Sequence, residues 1–404
     1  MTRPSVPDTA LERSAPVAYL DNACMGRPTA QALAEVRALV ERVGRGVEPP
    51  TDLVVDLQRS YDRARRAVAS LVGAGCAEVA LVESTSHGLG LVAASLPLER
   101  GDNVLVSDLE FFPPVLCWRS RCAGGAVEVR PVPHRAGRLG PEDFAACMDE
   151  RTRALVVSAV QEVGGFRADL AAFAALARER GAWLLVDGVQ EVGALQVDLS
   201  TVGVHAYCAG GHKWLRNPFG RGFLYVHADL AATLEPPFYG YFAAGEPAAG
   251  WEAYLASPER SAFDPLVFDR GMARFEMGGF GNYAGAVALA ATVENLLALG
   301  PARVEQRVFA LCDRLVTGLE EVGLEIRSAR EPEHRSGIVC VGLPGGPEEE
   351  LRFVAWLRER GVFVSVRYTA GMGGVRVSPH YDNTEAEVDR FIEAAAAWLR
   401  GEGT

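Results

Sequence analysis

The 404-residue chain reads as an α/β protein, with a large, mostly parallel sheet domain followed by a smaller α+β domain. Two observations carry this reading. Short, nearly continuous apolar runs rich in β-branched residues alternate with helical patterns from about residue 57 onward. Strands buried on both faces between covering helices have this signature. After Gly300–Pro301 the order changes to helix, strand, strand, helix, strand, strand and a closing helix, which describes a small α+β unit. The length agrees, because it exceeds what one small core requires.

The elements follow in order. Leu57–Leu71 is helical in pattern, Val79–Val82 is a strand, and the turn Glu83–Ser86 leads into a helix over Gly88–Ser95. Further strands are expected at Asn103–Ser107, Ala126–Val132, Ala154–Val160, Trp183–Val186, Val204–Cys208 and Gly222–Val226. Leu170, Phe173, Leu176 and Ala177 repeat at helical spacing between Asp169 and Arg180. Residues 228–272 are rich in Pro, Gly and aromatics without a period, as in a long functional loop or an interface segment. A long helix is expected over Asn282–Leu299 and a final one over Thr384–Arg400.

Composition excludes several classes. A net charge of −12 argues against a nucleic-acid footprint, which needs clustered Lys and Arg. Residues 1–17 lack the apolar run of a signal peptide, and no apolar stretch reaches the roughly 20 residues of a membrane span. Cys24, Cys76, Cys117, Cys122, Cys147, Cys208, Cys312 and Cys340 show neither a CxxC pair nor metal-ligand spacing. Cys208 and Cys340 fall in apolar runs that suit buried, inert thiols. A cytoplasmic protein with reduced thiols and no metal is expected.

Three motifs carry chemistry. Gly210-Gly211-His212-Lys213 follows a strand and precedes Trp214. Burial there disfavours the ammonium form and suits Lys213 to Schiff-base chemistry. A solvated surface lysine is the alternative. Asp187 ends the apolar run Leu184–Val186, 26 positions before Lys213. It suits a turn, a metal ligand or, in a pyridoxal site, the partner of a protonated pyridine nitrogen. Gln190 then stands near the ring's phenolic oxygen. Finally, Glu83-Ser84-Thr85-Ser86-His87-Gly88 joins a strand to a helix, and its exposed amides and hydroxyls make either a phosphate seat or a plain helix cap.

Taken in order, these motifs resemble the class V aminotransferase family of pyridoxal-phosphate enzymes (fold type I), in the branch of cysteine desulfurases, isopenicillin-N-epimerase-like proteins and C–S lyases. The resemblance runs from Tyr19-Leu20-Asp21-Asn22-Ala23 through Glu110-Phe111-Phe112-Pro113, Val160-Gln161, Asp187–Gln190, Gly211–Lys213 and Arg274-Phe275-Glu276-Met277-Gly278. It ends at Val375-Arg376-Val377-Ser378 and Tyr381–Glu385. It implies pyridoxal 5'-phosphate as cofactor, bonded to Lys213, with Asp187 on the pyridinium. Gln190 and Gln161 would stand on its phenolic side, Gln161 replacing the more usual Asn. Thr85, Ser86 and His212 would lie at its phosphate, and Phe111, or Phe112, would stack on its face unless both are plain core residues. Arg376 would clamp the substrate carboxylate, with Asn22 and His87 near the substrate. His380 would face either the site or solvent. The implied organisation is an N-terminal segment 1–35 packing on the small domain, a cofactor-binding domain 36–299 and a small domain 300–404. A homodimer acting on a small amino acid is expected.

The chain also departs from the family pattern. Desulfurases carry a loop cysteine shortly before the carboxylate-binding arginine, and Ser365–Gly374 contains none. Gly210 and Gly279 stand where relatives often have phosphate-binding hydroxyls, each worth about 0.5–1.5 kcal/mol. The missing loop cysteine, a stacking Phe and the Glu110-Phe111-Phe112-Pro113 segment resemble the epimerase and C–S-lyase branch more than the desulfurases, and favour β-elimination from a cysteine-derived substrate, with epimerisation, transamination and a non-catalytic cofactor-binding protein as alternatives. The aromatics Phe238–Phe242 and Trp251 are candidates for a substrate wall, an interface or core.

Overall fold

The structure, a computed structural model, describes residues 17–277, 279 and 281–402. The first sixteen residues of the expected N-terminal segment, Gly278 of the Arg274–Gly278 motif, and the last two residues lie outside them.

The strand β1 (Ala18–Tyr19) opens the described chain. The large sheet is built from β2 (Val79–Val82), β3 (Asn103–Ser107), β4 (Glu128–Val132), β5 (Thr152–Ser158), β6 (Trp183–Asp187), β7 (Ala206–Ala209) and β8 (Gly222–Val226). Their order is β2-β8-β7-β6-β5-β3-β4. Only β8 runs against its neighbours, so the sheet is mostly parallel as expected. Residues of β2, β3, β7 and β8 are buried throughout, whereas β4 is largely exposed and carries Pro131. A proline that cannot donate to a ladder belongs on such an edge. One apolar cluster joins Leu81, Leu105, Leu155 and Leu184 to the helices Pro50–Val72, Leu170–Arg180 and Tyr283–Leu299. On the opposite face Val82, Val104, Val156 and Leu185 pack with the helix Thr85–Ser95.

The smaller sheet comprises β9 (Glu325–Ile326), β10 (Val339–Gly342), β12 (Ser365–Thr369) and β13 (Met372–Val377), antiparallel in the order β12-β13-β10-β9. Between them β11 (Val362–Phe363), one strand more than the pattern predicts, pairs in parallel with β1. Helices Pro301–Glu321, Gly346–Glu359 and Glu385–Leu399 complete this unit around its own apolar cluster.

Two helix starts differ from expectation for identifiable reasons. The helix Pro50–Val72 begins seven residues before Leu57, because Pro50 at its first position lacks only an N–H that would be unpaired there anyway. The helix expected at Gly88 begins at Thr85, since the Ser84 hydroxyl caps it by accepting the His87 N–H at 3.1 Å. Residues 228–277 form short helical turns joined by irregular backbone, in line with their lack of period.

Candidate active site

Parallel strands deliver their last residues to one edge of the sheet, where the chain must turn into a loop. Asp187 ends β6 there and lies beside Ser158, the end of β5. Asp187 is buried, and its Oδ1 accepts the Val189 N–H at 3.0 Å. Burial pushes its carboxyl up to about 6, against the pull of that amide and of the Lys213 charge. Lys213 follows β7 through Gly210–His212. Desolvation lowers its pKa, while Asp187 is the main group opposing that shift. A lysine held so is readier to present a neutral amine to a carbonyl carbon.

The loop bearing Lys213 is fastened on every side. Trp214, fully buried, donates from Nε1 to Gln190 Oε1 at 2.8 Å. Gln190 in turn donates from Nε2 to the Ala23 carbonyl at 3.0 Å, so its amide is largely committed within the protein. His380 is buried, not at the surface. Its Nδ1 accepts the Tyr381 N–H, which leaves Nε2–H to donate to the Trp214 carbonyl at 2.9 Å. Desolvation drives its pKa down to about 4. The N-terminal segment crosses directly over the lysine: Gly26 N–H donates to the His212 carbonyl at 2.8 Å. A Cβ on Gly26 would stand 2.0 Å from the Lys213 carbonyl oxygen, so no other residue fits that crossing.

At the other end lies the turn Ser84–His87. The Gly210 N–H donates to Thr85 Oγ1 at 2.9 Å, which ties this helix start to the lysine loop. Thr85, Ser86 and the first amides of the helix form one end of the site, with the His212 ring beside them. Gly210 has a steric reason: a Cβ there would meet His212 Nδ1 at 3.1 Å and Thr85 Oγ1 at 3.2 Å. His87 faces back to its own turn, where Nδ1 accepts the Glu83 N–H at 3.2 Å. Phe111 and Phe112 contact each other, with ring centroids 4.4 Å apart, and are 42% and 59% exposed. Neither is a plain core residue.

Gln161, just past β5, donates from Nε2 to Glu110 Oε1 at 3.1 Å, and its Oε1 is buried with no hydrogen-bond partner. Glu110 also accepts the Ser158 N–H at 2.8 Å and the Ser158 hydroxyl. Burial, with Asp187 nearby, lifts its carboxyl to about 7.

Arg376 lies on β13, only 1% exposed. Its Nη1 donates to the Glu162 carbonyl at 3.1 Å, Asp21 and Glu162 carboxylates stand 3.4 Å away, and its Nε has no partner. Asn22 donates to the Ser378 carbonyl at 2.9 Å and to Asn383 at 3.2 Å, which braces β1 rather than presenting its amide outward. Its buried Oδ1 is unbonded.

The order of these groups along the chain is that of a known family. The family profile described as Aminotransferase class-V matches residues 18–391. The chain belongs to that family. Its cofactor is pyridoxal phosphate. Isopenicillin N epimerase of Streptomyces clavuligerus is 30% identical over 89% of this chain and 90% of its own length. A probable cysteine desulfurase of Methanothermobacter thermautotrophicus is 27% identical over 93% of each. Among solved structures, the complex of the cystine C–S lyase C-DES with its product cysteine persulfide superposes with a TM-score of 0.83 at 22% identity, covering 95% of this chain and 98% of that one.

The class-V chain fits its cofactor on observations of its own. A buried lysine with a lowered pKa stands in the field of a buried carboxylate, and Gln161 Oε1 and Arg376 Nε are buried polar atoms without partners. Unmet groups of this kind are costly unless something binds them. Lys213, Asp187, Thr85, Ser86 and Gln161 are the residues that would hold it.

In the aromatic segment Phe238–Phe242, Tyr241 stacks on Trp251 at 5.8 Å and Phe242 packs on the core residue Tyr61 at 5.2 Å, while Phe238, Tyr239 and Tyr241 are exposed. Sequence reasoning assigned no role to Glu110, Glu162, Asp21, Arg367 or Cys24, all of which stand around the site. A usable signal existed for two of them: Glu110 immediately precedes Phe111, and Cys24 directly follows the Tyr19–Ala23 motif.

Proposed function

We propose that this class-V enzyme is a C–S lyase that eliminates the β-substituent of a cysteine-derived amino acid. Bound pyridoxal phosphate supplies an electron sink for the pair left at Cα. Arg376 holds the substrate carboxylate, exchanging the long contacts to Asp21 and Glu162 for a shorter, bidentate one. Lys213, neutral after release, takes the Cα proton as general base. Asp187 stays ionised once a cation faces it.

One observation carries the choice among sulfur chemistries. β12 and β13 are joined by a two-residue turn, Ala370-Gly371, closed by the Thr369–Met372 pair. Both turn residues have positive φ, 48° and 80°. Such a tight hairpin has no loop to carry a thiol toward the substrate, and it contains no cysteine. Elimination needs no loop nucleophile. The likeness to isopenicillin N epimerase supports a second reading, inversion at Cα. An amino-acid panel separates them: pyruvate and ammonia mark elimination, an inverted centre marks epimerisation, and keto-acid-dependent amine transfer marks transamination. Absence of pyruvate from every S-substituted cysteine sinks the lyase reading. We also propose a homodimer, supported by the exposed apolar side chains Phe263, Val267 and Phe268 and checked by sedimentation.

A further inference from the structure

We propose that Cys24 is a catalytic acid that protonates the departing sulfur. The inference rests on the C–S lyase reading. The backbone on both sides of Cys24 is fixed to the reacting groups. Ala23 N–H donates to Ser378 Oγ at 3.0 Å, two residues beyond Arg376. The Ala23 carbonyl accepts from Gln190, and Gly26 N–H reaches the carbonyl of the residue before Lys213. Cys24 is therefore held between the carboxylate-binding arginine and the Schiff-base lysine.

Its thiol is free and exposed to solvent. Arg367 Nη2 lies 3.8 Å from Sγ, and Cys24 is an electrostatic neighbour of both Lys213 and Arg376. The groups coupled to it are the cations Lys213, Arg367 and Arg376 and the Tyr19 phenol. Arg376, 1% exposed, keeps a buried Nε that no described group accepts.

The step balances without an outside oxidant or reductant. Lys213 takes the Cα proton, the Cβ–S bond breaks with its pair going to sulfur, and the Cys24 proton moves to that sulfur. The substrate leaves as a thiol and an aminoacrylate. Lys213 then returns its proton to the Cys24 thiolate, restoring both groups. The Arg367 guanidinium stands where the transient thiolate needs a counter-charge.

Two measurements on the holoenzyme test this. Thiols ordinarily react faster with iodoacetamide than with iodoacetate. Here the arginines steer the carboxylate reagent, so peptide mass analysis is expected to show Cys24 modified preferentially by iodoacetate, with the preference lost in Arg367→Gln. Preferential reaction with iodoacetamide overturns the placement. Secondly, Cys24→Ala and Cys24→Ser are expected to keep the cofactor's absorption band and Cα deuterium exchange. Their kcat/KM for an S-alkylcysteine is expected to fall roughly 10²-fold, with little loss for an S-(nitrophenyl)cysteine, whose acidic thiol leaves unaided. Equal losses on both substrates, or none on either, overturn the acid role while leaving the lyase reading intact. If wild type eliminates neither substrate, the lyase reading falls and this inference with it.

Discussion

The chemistry proposed for Lys213 and Asp187 rests on one shared condition, removal from water. Burial lowers the lysine and raises the aspartate, and each opposes the shift of the other. Lys213→Ala is expected to abolish turnover. Borohydride reduction followed by peptide mass analysis should find the cofactor on the Lys213 peptide of wild type and nowhere in the variant. Arg376→Lys keeps the charge but loses the planar fork, so KM for the amino acid is expected to rise at least about tenfold. Glu110 makes a pH prediction. Its carboxyl is raised by burial from 4.5 to about 7, so the folded chain binds a proton that the unfolded chain releases. That contribution to stability is complete below pH 4.5 and is lost as pH rises through 7. Asp187 acts with the same sign up to about 6. In cofactor-free protein, urea unfolding should show stability falling over this window, by up to about 3 kcal/mol from Glu110 alone. Glu110→Gln should flatten the fall.

Elements decide which residues meet, and their ends are where sequence reading was weakest. The strands Val79–Val82, Asn103–Ser107 and Gly222–Val226 match their apolar runs residue for residue, because burial on both faces leaves a continuous signal. The helix Ala30–Arg45 went unread although Leu33, Val36, Leu39, Val40 and Val43 recur at helical spacing behind the Thr29 cap. The motif order pointed to Lys213, Asp187 and Arg376, whose proposed chemistry depends on local spacing. The roles proposed for Glu110 and Cys24 depend instead on what lies opposite them, contributed by residues 48 and 343 positions away. The β12–β13 turn offers a test at this scale. Ala370 has a positive φ that costs a Cβ-bearing residue about 1 kcal/mol. Ala370→Asn, which creates Asn-Gly, is expected to recover about 0.5–1 kcal/mol in chemical denaturation with turnover unchanged.

Across the whole molecule, one buried ion pair fastens the lysine loop to the C-terminal unit. Arg216, in a left-handed conformation at φ 59°, donates to Asp382 at 3.0 Å, to the Arg27 carbonyl and to the Tyr381 hydroxyl. Both ion-pair partners are about 5% exposed or less. Breaking it by Asp382→Asn should cost about 3–5 kcal/mol, because a buried guanidinium loses its partner charge. Hydrogen exchange should speed up in both the Lys213 loop and the segment following β13. Exchange quickening in only one of them would show that the pair does not couple the two units.

The pairing of β1 with β11 sets a timetable for the enzyme's birth. Ala18 leaves the ribosome 344 residues ahead of Val362. The span of chain that crosses Lys213 thus finds its berth only once β11 has been made. A nascent polypeptide halted before residue 360 should capture no coenzyme, however complete its large sheet.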